Sequence, residues 1–207
     1  MSQDSTGQDR PRPRPAVKIG IVLAVLLLGA VGAYRLFSVE HLQVPSVAME
    51  PLLQQGQQVK LRKPGGVSRV HRGDVVAFTR AGSTERAVGR VIGEAGDVVE
   101  VQARRVKVNG TTLERVPCTP PQYTHIIVVA GAKYPNRFFS QCDQETLPGG
   151  LTYRVLFDET TGLIRPSTSP VKIPEGSVFV LGDNRDRSKD SREGGPIPLA
   201  SVLGRIE

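Results

Sequence analysis

The hydrophobic positions fall into two regimes that meet near residue 37. From Ile19 to Tyr34 the chain reads IGIVLAVLLLGAVGAY without a single charge. With Val17, Leu36 and Phe37 added, this stretch approaches the ~20 residues a helix needs to cross a bilayer. Beyond it, no apolar pattern keeps the helical period for more than two turns. Short runs take over: Gln57–Arg62 (QQVKLR), Gly73–Thr79 (GDVVAFT), the loosely alternating Glu85–Ile92, Asp97–Val101, Thr124–Val129, Leu151–Phe157 and Ser177–Leu181. Each reads as a strand bounded by turn residues. Asn109-Gly110 separates Val106–Val108 from Thr111–Leu113, the signal for a two-residue hairpin. The pattern predicts a mainly β domain, closed or nearly closed, after one N-terminal transmembrane helix. Leu113 to Lys172 differ in texture, holding both cysteines, Pro117, Pro120, Pro121 and Gly149-Gly150. That stretch reads as an insertion, a cap or second β lobe at 113–172 within a domain of residues 38–207.

Composition agrees with strands and turns: aromatics are 5%, tryptophan is absent, and there are 22 glycines and 16 prolines in 207 residues. Residues 1–16 are polar and rich in Arg-Pro, a composition that predicts a disordered arm. Of the net charge of +7, the segment 1–37 holds +3 and the rest is dispersed. No basic block with interleaved aromatics exists, which argues against a nucleic-acid partner. Arg10, Arg12, Arg14 and Lys18 precede the apolar run, and only Arg35 closely follows it. The positive-inside rule then places the arm in the cytoplasm, the segment 17–37 in the bilayer and the domain outside. The other reading of the same run is a cleavable secretory signal, with Ala30-Val31-Gly32 or Gly32-Ala33 near the cut.

Cys118 and Cys142 both fall in the exported part, where a disulfide is permitted and would close a loop of 24 residues. In the chain-entropy account such a bridge contributes on the order of 3 kcal/mol. Two buried thiols are the alternative. His41, His71 and His125 are isolated in sequence, so the pattern offers no metal site, and nothing calls for a cofactor.

Three blocks carry the chemical signal. The first is Pro45-Ser46-Val47-Ala48-Met49-Glu50-Pro51-Leu52-Leu53. The second starts at Arg72-Gly73-Asp74-Val75-Val76-Ala77-Phe78 and runs to Arg90-Val91-Ile92-Gly93-Glu94-Ala95-Gly96-Asp97. The third is Gly182-Asp183-Asn184-Arg185-Asp186-Arg187-Ser188-Lys189-Asp190-Ser191-Arg192, closed by Gly195, Pro198 and Val202–Arg205. In order, they resemble P-S-x-S-M-x-P-T-L, then R-G-D-I-V-x-F with K-R-V-I-G-x-x-G-D, then G-D-N-R-D-x-S-x-D-S-R of the type I signal peptidases. The resemblance covers roughly residues 17–206, with the insertion matching only in character.

The resemblance implies a signal-peptidase-like β fold and a serine nucleophile with a neutral lysine base. Here Ala48 stands at the nucleophile position and Gly89 at the lysine position. The resemblance assigns Ser46 and the Ala48 N–H to an oxyanion hole, and Ser188 to support of the lysine. It makes Asp190 and Arg192 a structural ion pair. It makes Val44, Pro45, Met49, Leu53 and Val88 the wall that receives small side chains of an extended peptide. A second register puts Glu85 rather than Gly89 at the lysine position. Neither supplies an amine, and no lysine occurs between Lys63 and Lys107, nor any histidine between His71 and His125. Lys60 and Lys189 reach the site only by an unusual path, and Ser188 without a lysine is equally well a turn hydroxyl.

Three functions remain open at this level. One is a membrane-anchored homologue in the bacterial cytoplasmic membrane that binds signal peptides or preproteins without cleaving them, alone or beside an active paralogue or secretion machinery. A second is an active signal peptidase whose catalytic residues lie elsewhere, or an inactivated variant of one. A third is an envelope protein that keeps only the fold; Glu50 and Gln57, which depart from the usual residue types, favour it.

Overall fold

The computed structural model describes residues 23–29, 39–63, 70–120, 124–129, 132–137, 140–158 and 166–207. Residues 23–29 are helical, with exposed Leu23, Val25, Leu26, Leu27 and Leu28. The rest of the predicted span 17–37 and the arm 1–16 lie outside the described residues. Among the described residues, no helix is long and apolar enough to cross a membrane.

Val39–Glu207 form one compact unit, mainly β. Strands β1 (Val39–Gln43) and β2 (Gln58–Arg62) pair antiparallel around the short turn Val47–Met49. Strands β3 (Val75–Thr79) and β4 (Arg86–Gly93) form a second antiparallel pair, with Val76 opposite Gly89. Next come β5 (Val98–Gln102), β6 (Arg105–Val108) and β7 (Thr111–Thr112), successive hairpins. At Asn109 and Gly110 the φ angles are +52° and +82°, the two left-handed residues that the predicted turn demands.

The next stretch holds β8 (Glu114–Cys118), β9 (Thr124–Val129), β10 (Ala132–Arg137), β11 (Ser140–Thr146) and β12 (Thr152–Asp158). Strands β12, β11 and β8 form one sheet, while β9 and β10 form a separate hairpin. Cys118 lies directly opposite Cys142 in the β8–β11 register, and the two are disulfide-bonded with Cα atoms 5.1 Å apart. Strand β13 (Thr168–Lys172) returns to pair with β5. Strands β14 (Ser177–Leu181), β15 (Ile197–Pro198) and β16 (Val202–Ile206) complete the main sheet in the order β1-β2-β16-β3-β4-β14-β15.

Burial explains why β4 alternates so loosely in sequence. From Ala87 to Gly93 every residue of it is buried, on both faces. Val88 joins an apolar cluster with Leu42, Val44, Met49 and Leu53, whereas Ala87 and Val91 pack with Phe78 and Val180 on the other face. A strand covered on both sides reads as a continuous apolar run rather than an alternation. A third cluster, around Phe157, Phe179 and Leu181, joins the β5–β6 hairpin to β12 and β14.

Candidate active site

The first motif makes a sharp corner between β1 and β2. Ser46 caps the turn Val47–Met49, and its Oγ accepts the Ala48 N–H over a long 3.4 Å. The two groups that the resemblance assigns to an oxyanion hole are thus turned towards each other. Val44 is locked by its N–H to the Gln57 carbonyl at 2.8 Å, and the Leu53 N–H reaches the Met49 carbonyl at 2.9 Å. Val44, Met49, Leu53 and Val88 come together in one buried apolar cluster. Pro45 is exposed at its rim.

The third motif is stitched onto this corner through Asn184. Its backbone N–H donates to the Ala48 carbonyl at 3.0 Å, and its Nδ2 donates to the Val47 carbonyl at 3.2 Å. The same loop borders β12, because Leu156 donates to Asp183 and accepts from Arg185, both at 2.9 Å. Gly182 lies where Ala48 and Ser188 converge: a methyl built on it would run into the Ser188 side chain and the Ala48 carbonyl. The glycine therefore brings Ala48 and the buried Ser188 together. Asp190 accepts from the Gly182 N–H at 3.0 Å and holds Arg192 through two bonds of 2.8 and 2.7 Å. Arg192 in turn reaches the Arg185 carbonyl at 2.6 Å.

Gly89 sits mid-strand on β4, flanked by Val180 and Phe78. A Cβ there would lie 3.3 Å from Val180 Cβ and 3.4 Å from Phe78 Cε1, with the Leu181 carbonyl at 3.5 Å. Its backbone is ordinary strand, so nothing in φ requires glycine. Lys60 and Lys189 are both exposed.

Charge surrounds the corner on one side. Arg90, next to Gly89, forms a buried bidentate pair with Asp183 at 2.9 and 2.7 Å and stacks 4.3 Å from the Tyr153 ring centroid. Glu145, fully buried, is bound by Arg185, by Arg115 Nε at 2.8 Å and by the Tyr153 hydroxyl at 2.5 Å. Burial works against its charge, but the Arg185 and Arg115 guanidiniums win and hold its carboxyl down at about 2. Glu50, beside Met49, is the opposite case. Burial pushes its carboxyl up to about 7, and Arg187 offsets only part of that. Among the described residues, no group of three or more His, Cys, Asp or Glu is arranged to hold a metal.

Sequence reading missed two tethers. Arg104, with φ of +66° in the β5–β6 turn, pairs with Asp186 at 2.8 Å. On β1, Glu40 pairs with Arg86 of β4 at 3.0 Å. Neither position is marked in sequence, because each partner lies on a distant strand or loop.

A family model described as signal peptidase, peptidase S26, matches residues 17–207. The chain belongs to this family. It is similar to the signal peptidase I of Bacillus licheniformis, 30% identical over 191 residues, covering 91% of this chain and 82% of that one. It is also similar to the signal peptidase I of Bacillus caldolyticus, 28% identical, covering 86% and 82% of the two chains. A probable signal peptidase I-2 of Synechocystis is 26% identical, covering 99% and 78%. Among solved structures, a signal peptidase I from Enterococcus faecalis is 26% identical, covers 67% of this chain and 97% of that one, and has a TM-score of 0.38. The peptidase S26 membership spans all three motif blocks and the corner that joins them.

Proposed function

We propose that this peptidase S26 member is a membrane-anchored protein that holds the extended end of a signal peptide or preprotein without hydrolysing it. The observation that carries the reading is the pair Ala48 and Gly89, a methyl and a hydrogen at the nucleophile and base positions. A methyl has no oxygen to attack a carbonyl, and glycine has no amine to take a proton. The described residues bordering Gly89 are apolar, and the hydroxyls near Ala48 are those of Ser46 and the buried Ser188. Phe78 and Val180 border Gly89, and the Ser46 hydroxyl caps its own turn. Val44, Met49, Leu53 and Val88, the residues that the resemblance assigns to the peptide-facing wall, lie together in one apolar cluster. In this reading, residues 17–37 anchor the chain, the arm faces the cytoplasm and the domain faces outside.

A second reading, an active signal peptidase with catalytic groups elsewhere, is favoured by the relatives, whose names are those of signal peptidases. One experiment separates the two. The detergent-purified chain, an Ala48→Ser/Gly89→Lys variant and an authentic signal peptidase are each incubated with a signal-peptide-bearing preprotein. The unmodified chain is expected to bind the preprotein and leave it intact. Cleavage by the unmodified chain, with host peptidase excluded, overturns the non-catalytic reading.

A further inference from the structure

Among the described residues, strand β1 pairs with β2 alone, and its other edge carries no strand. On β4, Arg86–Gly89 pair with β3, while β14 meets the strand only from Arg90 onward. Among the described residues, two free strand edges therefore flank the apolar cluster that includes Leu42 of β1, Val44 just beyond it and Val88 of β4. Such edges offer unpaired N–H and C=O groups to an added strand.

Period two along a strand places Glu40 in line with Leu42 and Val44, and Arg86 in line with Val88. At this end the wall changes from apolar to ionic. Arg86 Nη1 donates to Glu40 Oε1 at 3.0 Å, and Lys63 Nζ lies 3.2 Å from Glu40 Oε2. Two cations share one carboxylate, which leaves one positive charge in excess. Two neighbouring pairs are internally matched, Arg62 lying 2.6 Å from Glu207 and Arg80 3.2 Å from Glu85, while exposed Lys60, opposite His41 in the β1–β2 register, adds a further cation. The bond from Arg86, then that from Lys63, holds the Glu40 carboxyl below its ordinary range, so it stays charged at neutral pH. Glu40, Arg86 and Lys63 are 34%, 49% and 49% exposed in their side chains, so the pairs can open to a competitor. Arg86 lies three residues from Gly89, ~10 Å along an extended strand.

Resting on the groove reading above, we infer that the Lys63–Glu40–Arg86 triad selects peptide charge. An extended peptide between β1 and β4 is favoured when the residue crossing the triad is acidic and disfavoured when it is basic. An acidic side chain takes over the share of Arg86 and Lys63 that Glu40 leaves unneutralised. A basic one faces two cations and must compete with both for the single carboxylate.

The test uses the full chain in detergent and three labelled, alanine-rich extended peptides. They differ only in carrying Glu, Gln or Lys three residues from the position opposite Gly89, and binding is read by fluorescence anisotropy. Affinity is expected to fall in the order Glu, Gln, Lys. The extremes should differ roughly three- to fivefold at low salt, the scale of an exposed ion pair. The spread should shrink at about 0.5 M salt, where the Debye length is only a few ångströms. Arg86→Gln should narrow the spread, and Arg86→Glu should reverse the order. Equal binding of all three peptides, or an order unchanged in Arg86→Glu, overturns the selector while leaving the groove intact. Failure of all three to bind overturns the groove reading, and the selector with it.

Discussion

The corner at Ala48 and Gly89 and the loop from Gly182 to Arg192 lie against each other, yet they are built from opposite materials. The loop is dense with ionised side chains, most of them buried in ion pairs. Asp183 takes Arg90, Arg185 takes Glu145, and Asp190 takes Arg192 and caps the one-turn helix Ser191–Gly194. At Ala48 and Gly89 the side chains make no polar contact, and neither backbone is left-handed. The loop residues hold the molecule together whatever its chemistry, because removing one partner strands a buried charge. At 48 and 89 only a buried methyl and a hydrogen stand among these partners.

The sharpest way to break this comparison is to attack the charged side. Glu145→Leu leaves Arg185 and Arg115 buried without their carboxylate. A loss of about 3–5 kcal/mol is expected, read as a lower denaturant midpoint at neutral pH. A loss under about 1 kcal/mol would mean that the network is ornamental and the contrast false.

On the other side, Gly89→Lys should cost less, about 1–3 kcal/mol, because Phe78 and Val180 must give way and a charge enters a buried strand. Ala48→Ser places a hydroxyl in a buried turn and should cost about 1 kcal/mol or less if it reaches a hydrogen-bond partner. Equilibrium unfolding of the single variants checks both. If Gly89→Lys proved neutral, the space beside Gly89 would accommodate a lysine without displacing Phe78 or Val180.

The last test is a pH dependence, and it probes the boundary between the two regions. Glu50 has a folded value of about 7 against an ordinary 4.5. Between those values the folded state binds the proton that the unfolded chain has released. Stability from this group is therefore lost as pH rises from about 4.5 to 7 and stays lost above. Glu50→Gln should flatten that part of the stability profile, seen in urea midpoints at about pH 5 and pH 8. Glu145 acts in the opposite sense and in a different window: its contribution disappears as pH falls from 4.5 towards 2.

Much of the fold was legible in advance, for local reasons. The strands at Gln58–Arg62, Val75–Thr79, Val98–Gln102 and Ser177–Leu181 announce themselves by β-branched runs between turn residues. The Asn109-Gly110 hairpin follows from a turn that only such residues adopt easily. The short strands β1, β8 and β16 were not predicted as strands, because each depends on its neighbours rather than on its own pattern. The Ala103-Arg104 turn was equally hidden. Its residues carry no turn signal, and Arg104 is drawn into a left-handed conformation beside its partner Asp186.

What the amino-acid sequence determined by itself is chemical identity: a family motif in three blocks, an alanine and a glycine at two of its positions, and an apolar run followed by a β domain. These are properties of residue types in order, and folding cannot change them. The tertiary structure alone decided which groups meet. It set Cys118 opposite Cys142, joined Asn184 to the Ala48 carbonyl, packed Phe78 and Val180 beside Gly89, and brought Glu40 to Arg86. Each of these contacts links residues distant in the chain. Its energy depends on burial and on a separation of a few ångströms, quantities that only the packed structure defines.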